Sequence, residues 1–313
     1  MKLWITYFRA VAAAFCWGIT FVWYKVAFDG GYRPYEIVFL RLLLASAVLL
    51  IFMSFQKGSF KLEPRDLLQM IGVAFFEPFL YFVGEANGMQ YVSSSVGSII
   101  IATIPIVAAV GAWIVLKEKL SKLVVGGILL SCMGVVIMTL GQGELSGSLK
   151  GILLLFLAIM AAVGYGIAVR PLTLKYSTTT IVGYQSIFGM LFFLPLFALK
   201  DGSHFIHMQH NSEGLITIAA MSIFASIGAF VLYTDVIRKL GVAKSNVFTN
   251  LIPVFTVILA AIILKERIDL KTILGLGLVL GGLFLSQIEA LLGGKNGDEE
   301  PPKLSAETEP ARS

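Results

Sequence analysis

Charge is what this chain of 313 residues has least of. Only 14% of it is Asp, Glu, Lys or Arg, against about a quarter in soluble domains. Cysteine occurs twice, as Cys16 and Cys132, both inside apolar runs. Neither a disulfide framework nor a thiolate metal site follows from that usage. Histidine occurs three times, as His204, His207 and His210. The spacing would suit a metal on one helix face, but the stretch around it, about 200–213, reads as a solvated loop. There is no His-Glu-x-x-His and no Gly-x-Ser-x-Gly, so intramembrane metal or serine hydrolysis lacks its parts. The sequence predicts no enzyme, no metal and no cofactor. The weak ten-residue alternation of a membrane β-barrel is also missing.

What is present is apolar sequence in long blocks: 57% of the residues are apolar and the mean hydropathy is +0.86. A membrane span needs roughly 20 mainly apolar residues. Blocks of that kind fall at about 4–27, 35–56, 66–88, 93–116, 122–141, 151–170, 180–199, 214–236, 244–264 and 271–292. The first carries Lys2, Arg9 and a small-residue run at Ala12–Ala14, as a signal peptide does, but it stays apolar to Ala27 and reads as an uncleaved span.

The blocks repeat. Ile104-Pro105 and the run to Leu116-Lys117-Glu118-Lys119 return 148 residues later as Ile252-Pro253 and Leu264-Lys265-Glu266-Arg267. Gly127 and Gly134 return as Gly275 and Gly282, and Trp17-Gly18 as Tyr165-Gly166. With a four-residue shift, Tyr32, Ile37 and Val38 fall on Tyr176, Ile181 and Val182. Such self-similarity decides the architecture. The expected fold is an all-α integral membrane protein of ten transmembrane helices, arranged as two inverted five-helix repeats around a central cavity. Five helices is an odd number, so consecutive copies enter the membrane in opposite senses. The first repeat is expected over 1–141, a polar joint over 142–150, the second repeat over 151–292 and a disordered tail over 293–313.

The net charge of +5 sits in short loops, so it speaks of orientation and not of a nucleic-acid partner. With the N-terminus inside, 13 basic residues of the loops and span ends lie inside and 7 outside, before the tail is counted. The positive-inside rule then places both termini in the cytoplasm. The basic loop Lys265–Lys271, placed outside, is the exception that an inverted duplication forces.

Ionisable residues inside spans are expensive and mark function by default. Glu77 lies about 11 residues into the third span, with Tyr81 and Glu85 following at helical spacing on one face. Pro78 removes a backbone donor beside it and predicts a bend. Arg41, at a depth between the two glutamates, is their expected partner, either as a fixed ion pair or as one side of a substrate site. Ser98 and Asn246, a repeat pair, open the fourth and ninth spans with Asn250 nearby. Pro105 and Pro253 follow as candidate hinges, since interrupted helices line cavities in transporters. Trp17, Tyr165, Thr20, Gln185 and Tyr233 complete an expected aromatic, weakly polar wall, to which Trp23 and Tyr24 are nearby candidates.

Two tandem copies of a five-span unit, each with a Pro, an apolar run and Lys-Glu-Lys-Leu or Lys-Glu-Arg-Ile, resemble the drug/metabolite transporter superfamily and, within it, its EamA-like branch. The resemblance covers about residues 5–290. It implies a carrier working by alternating access, with a cavity lined by helices 1, 3, 4, 6, 8 and 9. It implies that Glu118 and Glu266 are hallmark positions, expected to cap and clamp helix ends. The Glu77-Pro78 and Glu85 set is not general to that branch. The expected activity is export of a small organic metabolite, an amino acid first, across a bacterial inner membrane, with a proton as the candidate coupling ion on Glu77. Carriage of a lipid-linked, sugar or nucleotide substrate, and a channel, are the alternatives. The oligomeric state is not readable.

Overall fold

The computed structural model describes residues 3–55, 61–108, 110, 122–139, 145–241, 245 and 248–292. Every regular element among them is helical. In chain order the first half contains α1 (Leu3–Asp29), α2 (Pro34–Phe55), α3 (Pro64–Gly88), α4 (Ser94–Ala108) and α5 (Lys122–Thr139). The second half contains α6 (Leu145–Lys175), α7 (Thr178–His207), α8 (Ser212–Leu240), α9 (Leu251–Leu264) and α10 (Leu270–Leu292). Three helices of each half, α1–α3 and α6–α8, are long and apolar enough to cross a membrane, and the other four are shorter apolar helices. Each apolar block thus carries a helix. Phe55, Leu68 and Leu199 are largely exposed, as expected of helices whose outer surface is solvated by lipid and not water.

Local chemistry sets the helix ends. Pro34 and Pro64 stand at first-turn positions, where a missing N–H costs nothing. Ser93, Ser177 and Asn211 cap α4, α7 and α8 by accepting from the N–H groups of Val96, Thr180 and Glu213. Gly241, at φ +80°, closes α8 in a conformation that favours glycine.

The halves meet in a pattern that exchanges repeat partners. A Cβ on Gly127 would lie 2.4 Å from the Gly282 carbonyl oxygen, and one on Gly134 would lie 2.7 Å from that of Gly275. Gly127 equates with Gly275 and Gly134 with Gly282 in the repeat, so each glycine touches the counterpart of the other. α5 and α10 therefore run antiparallel. Ser131 Oγ donates to the Val279 carbonyl at 3.3 Å, joining two positions that are themselves repeat partners. Small residues let two backbones approach closely where no side chain intervenes.

The same exchange recurs elsewhere. α1 packs on α9, where Thr256 Oγ1 donates to the Gly18 carbonyl at 2.8 Å, and α6 packs on α4. α3 packs on α6 through Gly84, whose Cβ would reach 2.4 Å from the Leu154 carbonyl oxygen, and α8 packs on α1. At the end of α3, Lys25 Nζ donates to the Met89 carbonyl at 2.5 Å. At the matching end of α8, Arg170 Nη1 donates to Ile237, the repeat partner of Met89, also at 2.5 Å.

Two sequence expectations need correction here. The stretch with the three histidines is not simply a solvated loop, because α7 continues through His207. His204 Nδ1 is 2.6 Å from Oε1 of the fully buried Glu36, and His210 stacks on Tyr32. The helix persists because Glu36, which also accepts from the Arg33 N–H at 2.8 Å, gives the last turn a buried anchor. Among the described residues, no three His, Cys, Asp or Glu side chains form a metal-binding group. The other expectation that changes is the Arg41–glutamate pair, which is bridged by Tyr24.

Candidate functional site

α3 is not a continuous helix. Glu77 leaves helical geometry (φ −145°, ψ 117°) immediately before Pro78, and the Glu77–Pro78 peptide is cis. Pro78 packs into the space left by Gly189 of α7, where a Cβ would come 2.2 Å from the Pro78 Cγ. The predicted bend is therefore a true break, and it sets the Glu77 carboxyl against a cavity of about 650 Å³ between the halves. The cavity is walled mainly by apolar groups from α1, α3, α4, α6 and α8 and the start of α9, with Arg41 contributed by α2.

Of the sequence-predicted residues, Trp17, Thr20, Arg41, Glu77, Tyr81 and Glu85 line this cavity, and so do Tyr165 and Tyr233. Trp17 meets Tyr233 edge to face at 4.9 Å and Phe230 at 5.4 Å, and Tyr165 meets Phe230 at 6.3 Å. Gln185 instead borders a separate void of about 10 Å³ behind Pro78. Ser98 is fully buried and donates to the Ser95 carbonyl of its own helix at 2.8 Å. Asn250 stands at the turn before α9, outside the cavity wall. Asn246 and Glu118 lie outside the described residues.

The candidate hinges fall beside real interruptions. α4 breaks into a turn at Ala102–Thr103, and α9 begins after a turn at Asn250. Ala102 and Asn250 are repeat partners, and Pro105 and Pro253 each follow by three residues. Proline cannot supply the N–H that would carry the helix through such a point.

Arg41 forms no ion pair with either glutamate among the described residues. Its Nη1 donates to the Tyr24 hydroxyl at 3.1 Å, and that hydroxyl donates to Glu85 Oε2 at 3.0 Å. Tyr81 donates to Glu85 Oε1 at 2.9 Å. The Arg41 Nε donates to Ser226 of α8 at 3.0 Å, and its guanidinium lies 4.4 Å from the centre of the Phe82 ring. The expected direct pair is thus a relay, Arg41 to Tyr24 to Glu85, because the Tyr24 hydroxyl stands between the two charges. Two hydroxyls and a nearby guanidinium satisfy Glu85. Glu77 has no hydrogen-bond or ion-pair partner among the described residues. Its electrostatic neighbours are Glu85 and the phenols of Tyr81, Tyr165 and Tyr233.

Sequence reasoning passed over Ser226, Phe82 and Phe230. Ser222 and Ser226 are four apart in α8 and both bond Arg41, Ser222 through the Arg41 carbonyl at 2.7 Å. Two intramembrane hydroxyls on one helix face were the available signal. Glu266 does what its loop position suggested. It caps α4, accepting from the Ser94 N–H at 3.0 Å and from the Ser95 hydroxyl at 2.7 Å.

Comparison with known proteins follows the same lines. The family model described as "EamA-like transporter family" matches residues 4–140 and again 149–287. The uncharacterized transporter YetK of Bacillus subtilis is 31% identical over 80% of this chain and 77% of its own length. An uncharacterized transporter of Archaeoglobus fulgidus is 27% identical over 91% of this chain and 98% of its own length. A crystal structure aligns with a TM-score of 0.68 over 93% of this chain and 99% of that one, at 13% identity, which speaks for the fold alone. Two family units in tandem, embedded in apolar helices around an internal cavity, make this chain a member of the EamA-like transporter family and a membrane transporter, not an enzyme.

Proposed function

We propose that the chain is a secondary transporter of ten spans, two inverted five-helix repeats that carry a small organic metabolite by alternating access across a bacterial inner membrane. Both termini face the cytoplasm in this reading, and the direction is outward. The observation that carries it is Glu77, a carboxyl group without a hydrogen-bond or ion-pair partner among the described residues, lining a cavity between the halves. Such a group in an apolar wall needs a cation, and either a proton or the ammonium of a cargo supplies one. The exchanged contacts at α5/α10 support the inverted arrangement, since a two-fold axis in the membrane plane relates such repeats.

Among metabolites, amine-bearing compounds of amino-acid size suit the volume and the carboxylate. The set Trp17, Thr20, Arg41, Glu77, Tyr81, Glu85, Tyr165 and Tyr233 is the proposed binding and coupling surface. Pro78, Pro105 and Pro253 mark where helices would flex. Uptake into inverted vesicles, with and without a pH gradient, tests the coupling. Gradient-dependent uptake that disappears in Glu77→Gln is expected. Uptake indifferent to both the gradient and the substitution would exclude a proton on Glu77, and flux that never saturates would replace the carrier with a pore.

A further inference from the structure

We propose that the cargo is an organic monocation with an aromatic or similarly apolar body and no carboxylate, in preference to a zwitterionic amino acid. This rests on the carrier reading above and narrows it.

Among the described residues, three charged side chains line the cavity: Arg41, Glu77 and Glu85. Arg41 and Glu85 share the Tyr24 hydroxyl, which accepts from one and donates to the other. That relay is neutral as a unit and leaves one carboxylate in surplus. Arg41 is 1% exposed, held by Ser226 and Tyr24 beside the Phe82 ring. A cargo carboxylate would have to pull it away from those contacts. Glu77, 8% exposed, has no hydrogen-bond or ion-pair partner among the described residues and lines the same cavity as Tyr165 and Tyr233.

An uncompensated charge in an apolar enclosure is costly, and the described lining becomes neutral when a single positive charge enters, a proton in the empty cavity and the cargo when it binds. A monocation achieves that. A zwitterion brings an anion of its own, leaves the surplus in place and adds a buried carboxylate without a free partner. The aromatic group of Trp17, Tyr165, Phe230 and Tyr233 fits the same cargo, because ring faces attract cations and edge-to-face rings offer an apolar slot for its body.

Three probes share one phenyl body and differ in charge: phenethylamine, phenylalanine and 3-phenylpropionate. Their binding to the purified full chain is read by tryptophan fluorescence and by the thermal transition, which a specific ligand raises by mass action. Phenethylamine is expected to bind at least tenfold more tightly than either of the others. Glu77→Gln, nearly isosteric, is expected to abolish that preference, and Trp17→Leu to weaken amine binding about tenfold while leaving the order of the three probes intact. Phenylalanine binding as tightly as phenethylamine overturns the proposal, as does an amine preference that survives in Glu77→Gln. Binding of none of the three also overturns it. The carrier reading fails on a different result. Saturable counterflow of phenylalanine in liposomes would keep the carrier and sink the monocation, whereas unsaturable flux of the amine would sink the carrier.

Discussion

At the α5/α10 seam the two copies are interchangeable. Gly127 meets Gly282, Gly134 meets Gly275, and Ser131 meets its own repeat partner Val279. At the cavity they are not. The first half supplies Arg41, Glu77 and Glu85, while the matching positions of the second half hold Gln185, Ala225 and Tyr233. The glycines kept in both copies at the α5/α10 seam serve close backbone packing. At Arg41, Glu77 and Glu85, where the first copy holds a charge and the second does not, the charged side chain lines the cavity. Duplication provides the frame, and divergence of one half provides the chemistry.

The comparison breaks most severely if the charged half is made like the neutral one. Glu77→Gln is expected to reduce counterflow about 100-fold, since removing one partner of a desolvated charge contact costs about 3 kcal/mol. Ala225→Gln, the same side chain placed at the repeat partner, is expected to affect stability more than transport. Ala225 is fully buried and does not line the cavity. A reversed ranking of the two in a liposome counterflow assay would refute the assignment of chemistry to the first half.

The seam offers the opposite test, in which the halves should behave alike. Gly127→Ala and Gly282→Ala each push a methyl into the other's carbonyl. Each is expected to lower stability by about 1–3 kcal/mol through overpacking, and by similar amounts. Thermal denaturation in detergent would show this, and a large effect at one site beside none at the other would contradict the exchanged packing.

Tyr24→Phe cuts the relay between Arg41 and Glu85. The expected cost is about 1–3 kcal/mol, because it leaves two buried charged groups each short of one hydrogen bond. If the relay is what keeps Arg41 away from the cargo, this variant should also gain affinity for a carboxylate-bearing probe, measurable by fluorescence titration. The smallest effect is expected at the cap of α4. Ser95→Ala removes one of the groups that hold Glu266 and should cost about 1 kcal/mol, in the range of a lost helix cap.

Much of this was legible in the sequence because it depends on periodicity. The 148-residue offset, the glycine pairs and the apolar blocks are repeating signals, and they gave the helices, the opposite sense of the two copies and the intramembrane glutamates. The fate of Arg41 was not legible. Depth along a helix ranks residues by height but not by azimuth, and Tyr24 stands between Arg41 and Glu85 because of how α1 is rotated. Ser98 and Gln185 failed to reach the cavity for the same reason: both are polar and both are deep, yet each faces its own helix or a neighbouring one. The extension of α7 through His207 was hidden because its anchor, Glu36, is 168 residues away in sequence.

The central claim is that residue 77, and not its repeat partner, looks into the cavity between the halves. It is tested most directly by thiol labelling in a background in which Cys16 and Cys132 are replaced by alanine. Glu77→Cys should react with a water-soluble, trimethylammonium-bearing thiol reagent, and Ala225→Cys should remain unmodified. Equal labelling of both, or labelling of residue 225 alone, would contradict the account.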